Sequence, residues 1–309
     1  MNKYLLSIFG SSVDSFYESD MYPQEGDFSH ARFLNNVAGG PCFNMCAVAA
    51  SKGVDVKALD MLGKDDDTTN FLLDMMEHYH INKDNVFVEK DVRNGKVLII
   101  LTGDKRTMFV LDPIRPHYIV DDKLQNELNN ASYIYSMLHM INRSFGDIEP
   151  LLIAKKNGAK VVIDGSSKYD DPSRVKMLYD LADGLFINDV DYERLKEKSD
   201  LDPKDIILKD ENNFVVVTKG SKGSSLYLKN ETIDMPAVSN LKVVDSTGAG
   251  DAFAGAFLAS LLKDYDYKAA LRYATLSGAY ACTVFGGQGG VASFEQLDNF
   301  AKEYKYDIW

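Results

Sequence analysis

Five short stretches of the chain are rich in apolar residues without strict alternation. They are 2–9 (NKYLLSIF), 54–61 (VDVKALDM), 159–164 (AKVVID), 184–188 (GLFIN) and 213–218 (NFVVVT). Runs of this kind fit strands buried on both faces. Helical patterns lie between them, at 41–51, 65–79, 145–157 and 189–198. The first follows a glycine pair, the second opens on acids, and Gly158 closes the third as a residue just past a helix end. Two further helical patterns, 267–284 and 293–305, flank Gly286-Gly287-Gln288-Gly289-Gly290. That loop either walls a ligand or merely connects helices. Strands alternating with helices predict an α/β protein, a mostly parallel sheet covered on both faces. Ligands of such sheets lie beyond the carboxyl ends of the strands, where Gly10, Asp164, Asn188 and Thr218 fall.

Two stretches break this rhythm. Residues 96–102 (KVLIILT) and 106–112 (RTMFVLD) flank Gly103-Asp104-Lys105, a hairpin signal. Residues 12–20 and 30–37 contain alternating apolar positions without clear helical character. They read as strands of a small separate sheet, inserted in two pieces, about 12–38 and 95–113, into a single domain spanning 1–309. Over the ligand end of the core, such a sheet acts as a lid that excludes water. No repeats, low-complexity tracts or interdomain linkers interrupt the chain.

Composition narrows the partners. With 309 residues, 45% hydrophobic and 26% charged, the chain has the make-up of a soluble globular protein. A net charge of −12 argues against nucleic acid or an anionic membrane surface, but not against a nucleotide held locally. Three cysteines, Cys42, Cys46 and Cys282, are too few for a disulfide framework, and the expected location is the cytoplasm. Cys42 and Cys46 have helical spacing without further His or Cys to complete a metal site, so apolar packing is their expected role. The apolar run at 4–9 is too short for a signal peptide or a membrane span.

The chemistry concentrates at Asp245-Ser246-Thr247-Gly248-Ala249-Gly250-Asp251, which runs into the apolar Ala252-Phe253-Ala254-Gly255-Ala256-Phe257-Leu258. Helix-start N–H groups lack intrahelical partners and the dipole there favours negative charge, so a glycine-rich turn at that point can cradle a phosphate. A carboxylate beside a phosphate makes sense if Asp251 takes a proton from a hydroxyl that attacks phosphorus. The competing role is an ordinary helix-start acid. Two other phosphate fingerprints are absent: there is no G-x-x-x-x-G-K-[ST], and Phe253 stands where G-x-G-x-x-G needs its third glycine.

Four motifs, in order, resemble those of the ribokinase/PfkB family of carbohydrate kinases. Gly10-Ser11-Ser12-Val13-Asp14 is similar to its N-terminal substrate segment. Gly39-Gly40-Pro41-Cys42-Phe43-Asn44, followed by Leu62-Gly63-Lys64-Asp65, resembles its first signature. Thr218-Lys219-Gly220-Ser221-Lys222-Gly223 is similar to its nucleotide loop, and the stretch ending at Asp251 to its second signature. The resemblance covers residues 3 to about 297.

It implies a ribokinase-like three-layer α/β core with a small inserted β-sheet lid, which in the family often builds a homodimer. It also implies ATP-dependent phosphorylation of a sugar or related alcohol. Asp251 would then be the general base, and the N–H groups of Gly248, Ala249 and Gly250 would hold the transferring phosphoryl group. Asp14, Gly39, Gly40 and Asn44 would bind substrate hydroxyls; Thr218, Gly220 and Gly223 would line the adenine nucleotide. Asn188 and Asp191 resemble the family's Asn-x-x-Glu pattern, associated with phosphate and Mg²⁺, with Asp one methylene shorter than Glu. Asp245, Thr247 and the glycine loop resemble the region that holds a monovalent cation such as K⁺ in some members. A capping role competes for Asn44, a turn role for Asp14, and a role as first-turn acids supporting a helix dipole for Asp189 and Asp191.

The sequence also departs from ribokinases. Cys42 and Phe43 replace small residues, and Phe43 either crowds the sugar pocket or points into the core. His139 and Lys168 lie near strand ends but fit surface roles better. Two alternatives to a sugar kinase stay open: a nucleoside kinase of the same family, with Phe16, Tyr17 and Phe43 available to stack on a base, and a sensor that binds without turnover.

Overall fold

Leu5 and Leu6 are adjacent in sequence yet belong to different hydrophobic cores, one on each face of the main sheet. The same division separates Val216 from Val215 and Val217, and Phe186 from Leu185 and Ile187. Successive strand side chains point to opposite faces, so strands covered on both sides must be apolar throughout. That is the physical origin of the unbroken runs.

The computed structural model describes residues 3–308 apart from 104, 112, 166–168 and 170; Lys168 is therefore outside the described residues. The chain opens with β1 (Tyr4–Ile8), β2 (Ser12–Glu18), β3 (Arg32–Gly39), α1 (Pro41–Ala50), β4 (Asp55–Gly63) and α2 (Thr69–His78). It continues through β5 (Asn82–Glu89), β6 (Gly95–Thr102), β7 (Lys105–Leu111), α3 (Asp122–Asn130), β8 (Tyr133–Met137) and α4 (Leu138–Ser144). Next come α5 (Glu149–Lys156), β9 (Lys160–Asp164), α6 (Pro172–Leu181), β10 (Gly184–Asn188), α7 (Asp189–Ser199) and α8 (Pro203–Ile207). The last elements are β11 (Phe214–Thr218), β12 (Ser224–Tyr227), β13 (Thr232–Met235), α9 (Ala249–Leu262), α10 (Tyr267–Ala281) and α11 (Phe294–Glu303).

Nine strands form the main sheet in the order β13-β12-β11-β10-β9-β8-β1-β4-β5. The seven strands from β11 to β5 pair in parallel; β12 and β13 add an antiparallel edge. Strand order runs outward in both directions from β1. The β1/β8 junction is therefore the switch point, where connections leave to opposite sides and open a crevice. Helices α1, α2, α9, α10 and α11 cover one face, and α3 to α8 the other. Four strands, in the order β3-β2-β6-β7, make the separate small sheet; β2 pairs antiparallel with β3 and parallel with β6, and β6 turns back into β7. Among the described residues no helix is long and apolar enough to cross a membrane.

Local chemistry explains where the observed elements differ from the predicted ones. The helix expected at 145–157 begins only at Glu149, with Pro150 in the first turn of α5; Phe145 is the cap of the separate α4 before it. Proline there forgoes an N–H that has no helical partner anyway. The helix expected from residue 65 begins only at Thr69, because Asp66 accepts bonds from the N–H and hydroxyl of Thr68 and holds a turn instead. The edge strand β5 is polar and was not foreseen, and α10 stops at Ala281, short of 284. The hairpin between Thr102 and Lys105 is present, with Asp104 outside the described residues.

One close approach positions the site. Helix α9 is buried along nearly its whole length between α1 and α10. A Cβ on Gly255 would lie 2.5 Å from the Met45 carbonyl oxygen of α1. Only a missing side chain lets the two backbones come this near. Cys42, Phe43 and Cys46 of α1 are buried as well. Phe43 packs edge-on against Phe9 and Tyr79, so it belongs to the core and does not crowd a pocket. Burial pushes the Cys42 thiol up to about 12, which leaves it unreactive.

Candidate active site

Helix α9 starts from Gly248, whose φ of 77° is left-handed and whose Cβ would strike the Gly287 carbonyl oxygen at 2.3 Å. Both facts demand glycine. The turn is stapled by Asp245: one carboxylate oxygen accepts from the N–H (3.0 Å) and hydroxyl (2.7 Å) of Thr247, and the other accepts from Gly286 N–H at 3.1 Å. Burial raises the Asp245 pKa, but these bonds from Thr247 and Gly286 outweigh it and hold the carboxyl below its usual range. Ala249 N–H closes onto the Ser246 carbonyl at 3.3 Å. The first-turn N–H groups that follow it have no carbonyl within the helix to bond, and they point out of its start.

Asp251, in that first turn, faces Asn44 of α1. The Asn44 amide donates to Asp251 Oδ2 at 2.8 Å, and its own oxygen accepts from Gln288 Nε2 at 2.6 Å. Gln288 also donates to the Ala38 carbonyl at the end of β3. Asn44 is therefore a contact between α1 and α9, not a cap. Burial pushes the Asp251 carboxyl up to about 7, the Asn44 bond works against that rise, and the Asp164 carboxylate adds to it. Asp164 ends β9 and accepts from the Tyr135 hydroxyl at 3.2 Å.

The other residues expected to bind substrate, Asp14, Gly39 and Gly40, lie together where β2, β3 and the start of α1 adjoin. Asp14 lies on β2 so close to Gly39 of β3 that a Cβ there would sit 2.4 Å from its Oδ1. Ser12 Oγ donates to Asp14 at 3.1 Å, and burial raises the Asp14 pKa despite that bond. Gly40 caps α1 with φ 100° and abuts the Gly10 carbonyl. A buried ion pair not evident in the sequence fixes this corner. Arg115 binds Asp60 at 2.9 Å and the Ser11 carbonyl at 2.9 Å, clamping the segment after β7 to the floor under Gly10. Beside it lies a cavity of about 390 Å³, lined by Arg115, His117, Met140 and Arg143 among others.

At the α9 start a larger cavity, about 680 Å³, is lined by Thr218, Gly220, Gly223, Ala249 and Gly250 among others. Val238, Leu241, Phe253 and Ala279 give it an apolar wall, and its size suits a small-molecule cofactor. The nucleotide-loop residues and the glycine turn, far apart in sequence, thus share one chamber. Asn188 and Asp191 are not among the residues that line it. Asn188 pairs with Thr218 across the β10–β11 ladder, but its side chain caps α7 by accepting from Asp191 N–H at 2.8 Å. The Asp191 carboxylate takes the Asn188 amide (2.7 Å) and Arg194 (3.0 Å). Among the described residues no group of three or more His, Cys, Asp or Glu is placed to hold a metal ion. His139 is half-buried in α4, and burial, with Arg143 and Arg174 nearby, lowers its pKa.

Gln288 and Arg106 escaped the sequence reading. Gln288 is the one side chain with hydrogen-bonding groups in a run of glycines, a cue available in the sequence. Arg106 stands in β7 of the small sheet but donates to Thr247 Oγ1 at 2.8 Å, a contact with no sequence signal. The glycine loop packs on α1: a Cβ on Gly287 would lie 2.7 Å from the Asn44 amide.

An α/β fold that places a carboxylate at an amide-lined helix start, beside a chamber lined by Ala249 and Gly250, is the architecture of a phosphotransferase. The chain belongs to the pfkB family of carbohydrate kinases, whose model matches residues 6–293. It is similar to the nucleoside kinase of Methanocaldococcus jannaschii, 23% identical over 293 residues covering 93% of each chain. Arabidopsis thaliana ribokinase, solved with ribose and ATP, superposes with a TM-score of 0.81 at 23% identity, over 98% of this chain and 99% of that one. A putative ribokinase II from E. coli, solved with ATP and Mg²⁺, gives 0.78 at 20% identity, over 97% and 99%.

The buried carboxylate has a consequence for stability. A pKa raised on folding means the native state binds the proton more tightly, so Asp251 costs stability increasingly as pH rises from about 4 to about 7. Asp251→Asn is therefore expected to melt higher than the parent at pH 8, by at most about 4 kcal/mol of stability, with the gap closing toward pH 4. Calorimetry across that range checks it; a variant less stable than the parent at pH 8 would contradict the burial argument.

Proposed function

We propose that the protein transfers the γ-phosphoryl group of Mg-ATP to a hydroxyl, most simply a primary one, of a carbohydrate. The observation that carries this reading is the Asn44–Asp251 pair at the start of α9, with Asp14, Gly39 and Gly40 on one side and the Thr218–Gly220–Gly223–Gly250 chamber on the other. The acceptor binds through Asp14, the glycine backbone and Asn44. ATP fills the larger chamber with its terminal phosphate at the helix start. The acceptor oxygen attacks phosphorus in line, its proton passes to Asp251, and ADP leaves. Amides of Gly248, Ala249 and Gly250 and the helix dipole offset charge on the phosphoryl oxygens; the Ala249 N–H must turn from Ser246 to join them. A base whose pKa lies near 7 is well matched to the task.

Mg²⁺ arrives as part of the nucleotide substrate. Asn188 and Asp191 reach it through water in this reading, which suits an ion that keeps several waters. K⁺ beside Asp245 and Thr247 is part of the same proposal, and it must share oxygens already held by three protein bonds. The reduced thiols and the acidic charge fit the cytoplasm.

A nucleoside acceptor is the second reading. Strand alternation places Phe16, Val97, Ile99, Met108 and Val110 on one face of the small sheet. Phe16 touches Phe285 of the glycine loop, so this face looks into the cleft. Met108 and Val110 are 51% and 70% exposed, an apolar surface that would suit a flat base. The opposite face presents Tyr17, Phe33, Phe109 and Leu111, the last three each about half exposed, and supports a homodimer formed through the sheet.

Two measurements test these readings. Coupled ADP release with Mg-ATP over pentoses, hexoses, sugar acids, sugar phosphates and nucleosides, in K⁺ and in tetramethylammonium buffers, names the acceptor and any cation need. Asp251→Asn is expected to lower kcat on the active acceptor by about 10²–10⁴-fold; near-parental turnover in the variant would remove Asp251 as base. Sedimentation is expected to give twice the mass of one chain, and a monomer would contradict the dimer.

A further inference from the structure

Lys52 stands just past the end of α1, and it is buried, with 5% of the residue exposed. Its Nζ donates to two backbone carbonyls, Ala292 at 2.9 Å and Val48 at 3.2 Å. Ser51 Oγ donates to the same two, at 3.1 Å and 2.7 Å. The Lys52 N–H bonds the Ala49 carbonyl, so the Val48 carbonyl, one of the last in the helix, is left to side chains. Among the described residues no charged group offsets the burial of this ammonium, and burial pushes its pKa down to about 7. An apolar side chain of similar length would avoid that cost, so packing alone does not account for a lysine at this position.

What Lys52 holds is the far end of the glycine loop. Ala292 is buried and directly precedes Ser293, the cap of α11. Gly286, Gly287, Gly289 and Gly290 surround Gln288, a sequence with little stiffness of its own. Yet this loop must hold one side chain accurately, because Gln288 fixes the Asn44 amide that faces Asp251. Its near end is tied by the bond from Gly286 N–H to Asp245. Past Gln288, the Val291 N–H folds back onto the Gln288 carbonyl at 3.1 Å, and Ser277 reaches the Gly290 carbonyl at 3.4 Å. Ala292 then meets Ser51 and Lys52. Helix α1 thus grips the loop at both of its own ends: Asn44 takes Gln288 in the first turn, and Lys52 takes Ala292 beyond the last.

We infer that Lys52 is a positioning residue for the reaction: by holding Ala292 it keeps Gln288 on the Asn44 oxygen, and so keeps the Asn44 nitrogen on Asp251. For its effect on rate, the inference rests on the phosphotransfer reading above. Without the anchor, Gln288 moves off and the Asn44 amide is free to turn. The Asp251 carboxylate then loses the bond that favours it and holds its proton to higher pH. Lys52 itself takes no part in proton transfer. Charged or neutral, its amine keeps enough N–H groups for both carbonyls.

The test is the titration of the Asp251 carboxyl, followed by carbon NMR in aspartate-labelled protein and assigned with Asp251→Asn. It compares the parent with Lys52→Met, Gln288→Ala and the double variant. Asp164, Cys42 and Tyr135, the titratable groups around Asp251, are untouched by these substitutions. Lys52→Met should displace the titration upward by about one pH unit. Gln288→Ala should do the same, and adding Lys52→Met to it should change little further, since both act through one amide. On the acceptor found by ADP release, the pH limb of kcat/KM should move with the titration. Ser51→Ala, which keeps the lysine, should give a smaller displacement of the same sign, and it carries the test if Lys52→Met does not fold. A merely structural lysine would lower the melting temperature of Lys52→Met and leave the titration at its parental pH; that result would overturn the inference, as would a displacement that persists in full on top of Gln288→Ala. A parental protein that releases no ADP with any acceptor counts against the phosphotransfer reading alone, because the titration is read without turnover.

Discussion

The hydrogen bond from Asn44 to Asp251 is the contact on which the rest of the site depends. It joins the first turns of α1 and α9, two helices that enter the same core from opposite parts of the sequence. Burial drives the carboxyl toward its protonated form and the amide pulls it back, leaving it near neutrality. A fully solvated aspartate would be too weak a base, and a buried one without Asn44 would stay protonated. The geometry around the pair serves this balance: Gly255 lets α9 approach α1, Gly287 leaves room for the amide, and Gln288 fixes which way that amide points. Because the Gln288 side chain donates to the Asn44 oxygen, the Asn44 nitrogen is the end left to face the carboxylate.

The fold supplies a crevice near the α1 end of this pair and a chamber near its α9 end. Strand order reverses at β1, so the crevice opens beside Gly10, where α1 begins and Asp14 descends from the small sheet. The larger chamber forms where β11, its following turn and the start of α9 converge. Asp251 follows directly on Gly250 of that chamber's lining. The small sheet is not an independent ornament on this frame. Arg115 anchors its exit to Asp60 beneath Gly10, Gln288 binds the end of β3, and Arg106 and Phe16 meet the far wall.

Much of this was legible in the sequence because the relevant signals are local. Both-face burial writes itself as continuous apolar runs, and the strand 184–188 coincides with β10 residue for residue. Glycine requirements are local too: Gly248 needs a left-handed backbone, and the motif around it showed where. What stayed hidden depends on partners distant in the chain. The Asn44–Asp251 bond spans 207 residues and Arg106–Thr247 spans 141; neither leaves a trace in periodicity. A cap was the lesser reading of Asn44, which instead bridges α1 and α9, while Asn188 caps α7. Phe43 looked like an obstacle beside a pocket because its direction follows from helix rotation, which the motif does not carry; it packs on Phe9 and Tyr79. Pro150 was the missed local signal, marking a helix start inside what read as one continuous helix.

The central claim is that Asp251 is the base and that the Asn44 bond lowers its pKa against the rise that burial causes. The pH dependence of kcat/KM, measured for the parent and for Asn44→Ala on the same acceptor, tests both parts at once. The account predicts a rate that rises through about pH 7 in the parent, and a limb displaced to higher pH in Asn44→Ala, because the bond that favours the carboxylate is gone. A limb at the same pH in both proteins, or one at the pKa of an ordinary aspartate, would contradict it.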